Sequence, residues 1–241
     1  MLEALKEAAG CLLDFFYPPA CAACGCSLQD NPGKMVCGPC IDEIIPFGGA
    51  GSCPRCGMPG FAAGNGCRFC DRLEPSLEAA LAAAWFSGPV PAILHRLKYK
   101  GMHSLARPVA AMISESKAVG PVVGTADLLL PVPLHRWREF RRGYNQSEKI
   151  AVALAEISGK ELVPEALVRV RNTRTQTRLN IQKRKANVDG AFRVTDPSLV
   201  EGRSVCLVDD VMTTGATLGA CAVTLKQSGA LRVTACTFAH A

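Results

Sequence analysis

Asp209 and Asp210 stand side by side at the end of the apolar run 204–208, and Thr213, Thr214, Gly215, Ala216 and Thr217 follow after only Val211 and Met212. Adjacent carboxylates repel each other, and hydroxyls with a glycine continue neither a strand nor a helix well. Something outside the chain must reward the arrangement. The turn suits a phosphate: backbone amides at the start of a helix point at an anion, threonine hydroxyls add donors, and Gly215 lets the backbone come close.

Cysteine supplies the second candidate chemistry. Ten of the thirteen cysteines precede residue 71, and eight of those ten form four CxxC pairs. Twelve residues separate Cys21/Cys24 from Cys37/Cys40, ten separate Cys53/Cys56 from Cys67/Cys70, and glycine (Gly25, Gly57) directly follows the first pair of each set. This is an internal repeat. Two sulfurs of one CxxC turn can reach a single ion about 2.3 Å away, so two structural Zn2+ sites are expected, each with four thiolates. Pairing in sequence order joins Cys21, Cys24, Cys37 and Cys40, then Cys53, Cys56, Cys67 and Cys70, and leaves Cys26 unliganded; interleaved pairing is the alternative. Few large apolar side chains lie between residues 18 and 75, so metal must replace the missing core.

Arginine supplies the third. The stretch "PVPLHRWREFRRGYNQS", residues 131–147, follows a strand-like run and carries Arg136, Arg138, Arg141 and Arg142. Such a concentration of guanidinium groups matches a pyrophosphate through bidentate hydrogen bonds. Residues 171–192 form a long basic stretch between two short strand-like runs, with Arg171, Arg174, Gln176, Arg178, Lys183, Arg184 and Asn187. It reads either as a lid over a reactive substrate or as a nucleic-acid contact. Phe192 is its single aromatic residue, which leaves base stacking there without support.

These groups need elements to position them. After Pro75 the segment "LEAALAAAWF" fits a strand or a helix, while "PVPAILHRLKYKG", "SLARPVAAMISES", "NQSEKIAVALAEIS" and "ATLGACAVTLKQSG" have helical patterns. The runs "DLLLPVP", "ALVRVR", "AFRV", "SVCLVDD" and "LRVTACTFA" read as strands. Alternation of this kind predicts an α/β fold, a parallel sheet covered by helices, and ligands in such sheets sit beyond the carboxyl ends of the strands. The expected division is an amphipathic helix at 1–17, a zinc module at 18–75 and the larger domain at 76–241. Cys11, Cys206, Cys221 and Cys236 sit in apolar surroundings and read as small core residues.

The formal charge is +6, yet residues 136–185 alone hold thirteen Lys/Arg against five Asp/Glu, so the basic character is concentrated. The first twenty residues have no basic leader and place Asp14 inside their apolar stretch. That pattern argues against a signal peptide or a membrane span and predicts a cytoplasmic protein without membrane insertion. The four histidines form no catalytic constellation.

Residues 204–217 resemble the loop that binds 5-phosphoribosyl 1-pyrophosphate (PRPP) in type I phosphoribosyltransferases: an apolar run, two acids, two apolar residues and a Thr/Gly-rich turn. The resemblance implies that Asp209 and Asp210 are the catalytic acids, holding the ribose hydroxyls beside a Mg2+ ion. It places Val211 and Met212 in the same PRPP-binding loop and gives the 5′-phosphate to Thr213–Thr217. Val132, Pro133, Leu134, His135 and Arg136 take the position of the pyrophosphate loop. Hypoxanthine-type salvage enzymes carry an Asp where Thr213 stands, a departure that weakens a purine-salvage assignment, although other members of the superfamily manage without that carboxylate.

Together with the cysteine repeat, "LKYKG" at 97–101, "PVPLHRWREFRRGYNQS" and "TQTRLNIQKRKANVDGAF", nearly the whole chain is similar to the ComF family of bacterial competence proteins, which includes GntX-like proteins. The family resemblance implies a double zinc ribbon joined to a phosphoribosyltransferase-like domain. It also implies a role in taking up single-stranded DNA, with DNA-uptake proteins as partners. Three functions fit the residues: such a DNA-handling factor with a PRPP or nucleotide pocket, a phosphoribosyltransferase of undefined acceptor, or a PRPP sensor.

Overall fold

A computed structural model describes residues 19–29, 33–61, 66–171 and 190–241. The expected helix at 1–17 and the basic residues Arg174, Gln176, Arg178, Lys183, Arg184 and Asn187 lie outside them.

The sheet has five parallel strands in the order β1-β7-β6-β2-β3. They are β1 (Ala79–Trp85), β2 (Leu128–Pro131), β3 (Glu161–Leu162), β6 (Ser204–Met212) and β7 (Arg232–His240). Residues 79–85, whose alanines favour helix, form a strand because β7 pairs along them and both faces are covered, so packing overrides propensity. A separate antiparallel pair joins β4 (Leu167–Arg169) to β5 (Phe192–Val194).

Helices cover both faces. On one lie α2 (Val90–Tyr99), α3 (Ala106–Glu115) and α6 (Gln146–Ser158), whose Ile93, Leu94, Leu97, Val109, Ile113, Ile150 and Leu154 are buried with Cys206, Val208 and Phe238 of the sheet. On the other lies α7 (Ala216–Gln227), whose Leu218, Cys221 and Leu225 are buried with Leu207, Val205 and Phe192. Two short helices complete the set before α7: α1 (Gly38–Asp42) follows Cys37, and α4 (Gly120–Gly124) precedes β2. The arginine-rich stretch is not a plain loop, because Arg136–Arg142 wind into α5. His135 starts that helix by accepting the Trp137 amide at Nδ1, 3.3 Å away, and Gly143 at φ 85° ends it.

The cysteine region docks on the outer edge of β1. Phe47 N–H donates to Ala83 O (3.0 Å), Trp85 N–H to Ile45 O (2.9 Å) and Ala80 N–H to Arg55 O (2.8 Å). An open strand edge would otherwise expose its backbone groups, and these bonds close it.

Candidate functional site

The strands β2 and β6 are adjacent and parallel, but their chains leave in different directions: β2 continues through α5 and α6 to β3, whereas β6 continues through α7 to β7 on the opposite face. A crevice opens where such connections diverge. Residues 132–136 leave one wall and residues 209–217 the other. Val132 N–H donates to Val208 O at 2.9 Å, which fixes the two walls side by side one residue before Asp209.

β6 runs to Met212, so both acids and the two apolar residues after them are still strand, two residues further than the strand-like run "SVCLVDD" suggests. Each carboxylate folds back on the next amide: Asp209 Oδ1 accepts from Asp210 N–H and Asp210 Oδ1 from Val211 N–H, both at 2.9 Å. Asp209 Oδ1 also accepts the Ser147 hydroxyl at 2.7 Å, and Asp210 Oδ2 forms an ion pair with Lys98. The acids thus endure their proximity through partners on α6 and α2 rather than through each other. Burial pushes the Asp209 carboxyl up from its ordinary value, and the Ser147 hydroxyl with Lys98, Arg169 and Arg142 pulls it back. Burial brings the Lys98 ammonium down to about 8, an effect that Asp209 opposes and Arg142 reinforces.

Beyond Met212 the chain turns through Thr213, Thr214 and Gly215 into α7. Gly215 adopts φ 72°, a conformation side chains rarely take, and a Cβ there would lie 2.5 Å from Leu73 Cδ2. The Thr214 hydroxyl oxygen is buried without a hydrogen-bond partner. A buried hydroxyl of this kind is expensive unless a ligand satisfies it.

The structure therefore sets Val132, the first residue of the 132–136 stretch, beside the strand end that carries Asp209 and Asp210, and adds residues that the sequence did not single out. Lys98, Ser147 and Asn145 are three. Asn145 caps α6 by accepting the Ser147 amide (3.1 Å) and donates through Nδ2 to Val132 O (3.1 Å), so one side chain ties the arginine-rich wall to the helix that holds Asp209. Lys98 had a signal: it lies one helical turn after buried Leu94 and next to buried Leu97, where an undirected charge would be unfavourable. Arg171 is exposed and stands at the rim of the described residues.

The eight cysteines gather as two groups of four, Cys21/Cys24/Cys37/Cys40 and Cys53/Cys56/Cys67/Cys70, with all sulfurs of each group within 4.8 Å of one another. Four thiolates about 2.3 Å from a tetrahedral ion stand about 3.8 Å apart. The Cys24–Cys37 sulfurs are 3.8 Å apart, and Cys53–Cys70 and Cys56–Cys67 each 3.5 Å, so both groups fit zinc. Burial works against charge on Cys21, but backbone hydrogen bonds from Cys37, Cys24 and Ala23 outweigh it and bring that thiol down to about 6, whereas burial pushes the thiols of Cys40, Cys56 and Cys70 up, a charge cost that a bound cation would offset.

Comparison with known proteins agrees with both halves. The family profile described as "Double zinc ribbon domain" matches residues 12–72, and that described as "Phosphoribosyl transferase domain" matches 127–241. The DNA utilization protein YhgH of Salmonella typhimurium is 31% identical over 186 residues, 75% of this chain and 80% of that protein. Competence protein F of Haemophilus influenzae is 28% identical over 80% of this chain and 85% of its own length. Competence protein ComFC of Bacillus subtilis is 26% identical over 83% and 81%. The chain belongs to the ComF family. Its ComF architecture is a double zinc ribbon with two structural four-cysteine zinc sites, followed by a parallel sheet of phosphoribosyltransferase type. No helix among the described residues of this ComF chain is long and apolar enough to cross a membrane.

Proposed function

We propose that this protein binds Mg2+-PRPP, or a closely related nucleotide, at the β6–α7 turn and acts in the cytoplasm on single-stranded DNA during DNA uptake. One observation carries the first part: two carboxylates held at a strand tip by Ser147 and Lys98, next to a turn with a left-handed glycine and a buried hydroxyl that lacks a partner. Asp209 and Asp210 would take the ribose hydroxyls, Thr213–Thr217 the 5′-phosphate, and Val132–Arg136 the pyrophosphate. Hard carboxylate oxygens also suit Mg2+, which neutralises pyrophosphate charge when bound. The DNA part rests on the relatives, named for competence and for DNA utilization, and on the basic charge gathered between residues 136 and 185.

Titration calorimetry with Mg2+ and PRPP tests the pocket. Wild-type protein is expected to give saturable heat, and Asp209→Asn with Asp210→Asn to weaken binding by about tenfold or more, about 1.4 kcal/mol. Absence of heat with folded, zinc-loaded protein overturns the pocket. Pyrophosphate release in the presence of an acceptor base or amine would extend the pocket from binding to transfer.

A further inference from the structure

α5 buries none of its residues. That is unusual for a helix that carries Trp137 and Phe140, which are 52% and 87% exposed, and α2 ends beside it with Tyr99 at 63%. Large rings facing water forfeit the burial that normally rewards them, and three of them on two neighbouring elements mark a contact surface. Trp137 and Phe140 are three residues apart, hence on the same side of α5.

The rings are interleaved with cations. The Arg141 guanidinium lies 5.0 Å over the Trp137 ring, and Arg142 lies 5.0 Å over Tyr99. A cleft of about 350 Å³ between α2 and α5 is lined by Lys98, Tyr99, Gly101, Trp137, Arg138, Arg141 and Arg142. Its lining includes four basic side chains and no acid; Glu139, on α5 itself, is the nearest acid in sequence. Desolvation and the neighbouring Arg142 both work against charge on Arg138, so an anion entering the cleft relieves like-charge repulsion.

We propose that this cleft, with the exposed Phe140 ring beside it on α5, is the site where single-stranded DNA lies, its phosphates on Arg138, Arg141 and Arg142 and its bases stacked on Trp137 in the cleft and on Phe140 at its edge. Aromatic platforms beside a basic groove are the requirements of such a strand, whose bases have free faces, whereas duplex DNA hides them within its own stack. Lys98 lines the cleft and also pairs with Asp210, so the strand would pass the mouth of the pocket at the end of β6. The side chains assigned to the strand thus belong to α2 and α5 and not to the basic stretch 171–192 that the sequence offers for nucleic acid. This inference rests on the proposed action on single-stranded DNA and adds the place where the strand is held.

Fluorescence anisotropy with a labelled oligothymidylate tests it. Trp137→Ala and Phe140→Ala are each expected to weaken binding about tenfold, about 1.4 kcal/mol, while Phe140→Ala leaves Mg2+-PRPP heat unchanged, because its ring is not part of the cleft lining that Lys98 shares with the acid pair. Trp137→Tyr, which keeps a stacking face, is expected to restore most of the affinity. Replacing the three arginines by glutamine should lower the slope of log affinity against log salt by about 2. If the double ring variant binds the strand like wild type, the cleft is not the site, although DNA action stands. If wild-type protein does not bind the strand at all, both fall. Ring-dependent binding to anionic phospholipid vesicles, with no ring dependence for DNA, would replace the strand by a membrane surface.

Discussion

The two zinc ribbons have the same ligands and the same spacing logic, yet each joins a different face of the sheet. Cys21 and Cys40 of the first are buried with α2, α3 and α6. Cys53 and Cys56 of the second are buried with α7 and with Met212 and Leu218, on either side of the turn at 213–217. The chain leaving the second ribbon also packs directly beneath that turn: Leu73 occupies the space a Cβ on Gly215 would need, and Glu74 Cβ lies 2.7 Å from where one would stand on Gly219. Arg55, within the third CxxC, fastens this exit by donating to the carbonyls of Cys70 (3.3 Å), Glu74 (3.1 Å) and Leu77 (3.0 Å). Identical metal chemistry therefore does two jobs. The first ribbon extends the core beside α2 and α3, and the exit of the second packs beneath the turn between β6 and α7, where the ligand is proposed to bind.

The largest effect should come from removing one metal at a time. Cys24→Ser and Cys70→Ser alter ligands that are not fully buried, so cavity formation is small in both. Each variant is expected to lose one zinc of two by elemental analysis, and each should unfold more readily, since a structural site contributes about 10–16 kcal/mol of apparent binding energy. They should then part company. Among molecules that stay folded with the other zinc bound, Cys70→Ser weakens Mg2+-PRPP binding by about tenfold or more, and Cys24→Ser leaves it within about twofold. Equal losses would break the distinction between the ribbons.

A smaller change probes the contact itself. Gly215→Ala adds a Cβ against Leu73 and forces a side chain into left-handed backbone, for roughly 1–2 kcal/mol from the backbone alone. Leu73→Ala makes room and removes only the clash. The double variant is expected to bind Mg2+-PRPP better than Gly215→Ala alone, with a coupling of about 0.5–3 kcal/mol in the cycle. Additive effects would mean that the exit segment does not support the turn.

How much of this could be read from the chain depended on sequence distance. Both zinc sites were legible because CxxC is a local geometry, and the two groups assembled in sequence order. The strand-to-helix turn was legible for the same reason, since 209–217 is one continuous passage from β6 into α7. The partners of its acids were not. Ser147 is 62 residues from Asp209, and Lys98 is further still from Asp210, so their approach follows from the order of strands in the sheet, which no local pattern encodes. β1 was ambiguous because an alanine-rich run carries no period, and the cleft aromatics were missed because Trp137 and Phe140 looked like part of a loop until α5 placed them on one side.

The smallest effect concerns the joint between the ribbons and the sheet. His240, near the end of β7, stacks on Phe47 with centroids 4.6 Å apart and planes 6° from parallel, and meets Phe69 and Trp85 edge-on at 5.0 and 5.9 Å. Both of its ring nitrogens are buried without hydrogen-bond partners. Burial lowers its pKa from the ordinary 6.5, because nothing at this joint compensates a charge. The unfolded chain therefore takes a proton near pH 6.5 while the folded one resists, and stability is full above that value and declines as pH falls below it, by at most about 1.4 kcal/mol per unit. His240→Phe keeps the stacking ring and removes the proton site. Urea midpoints measured at neutral and mildly acidic pH, with zinc content followed in both proteins because acid also releases metal, should fall more steeply for wild type than for the variant. Since Phe47 links the two ribbons and Phe69 belongs to the second, parallel slopes would show that the joint tolerates charge and that each ribbon is held by its metal and its own face of the core alone.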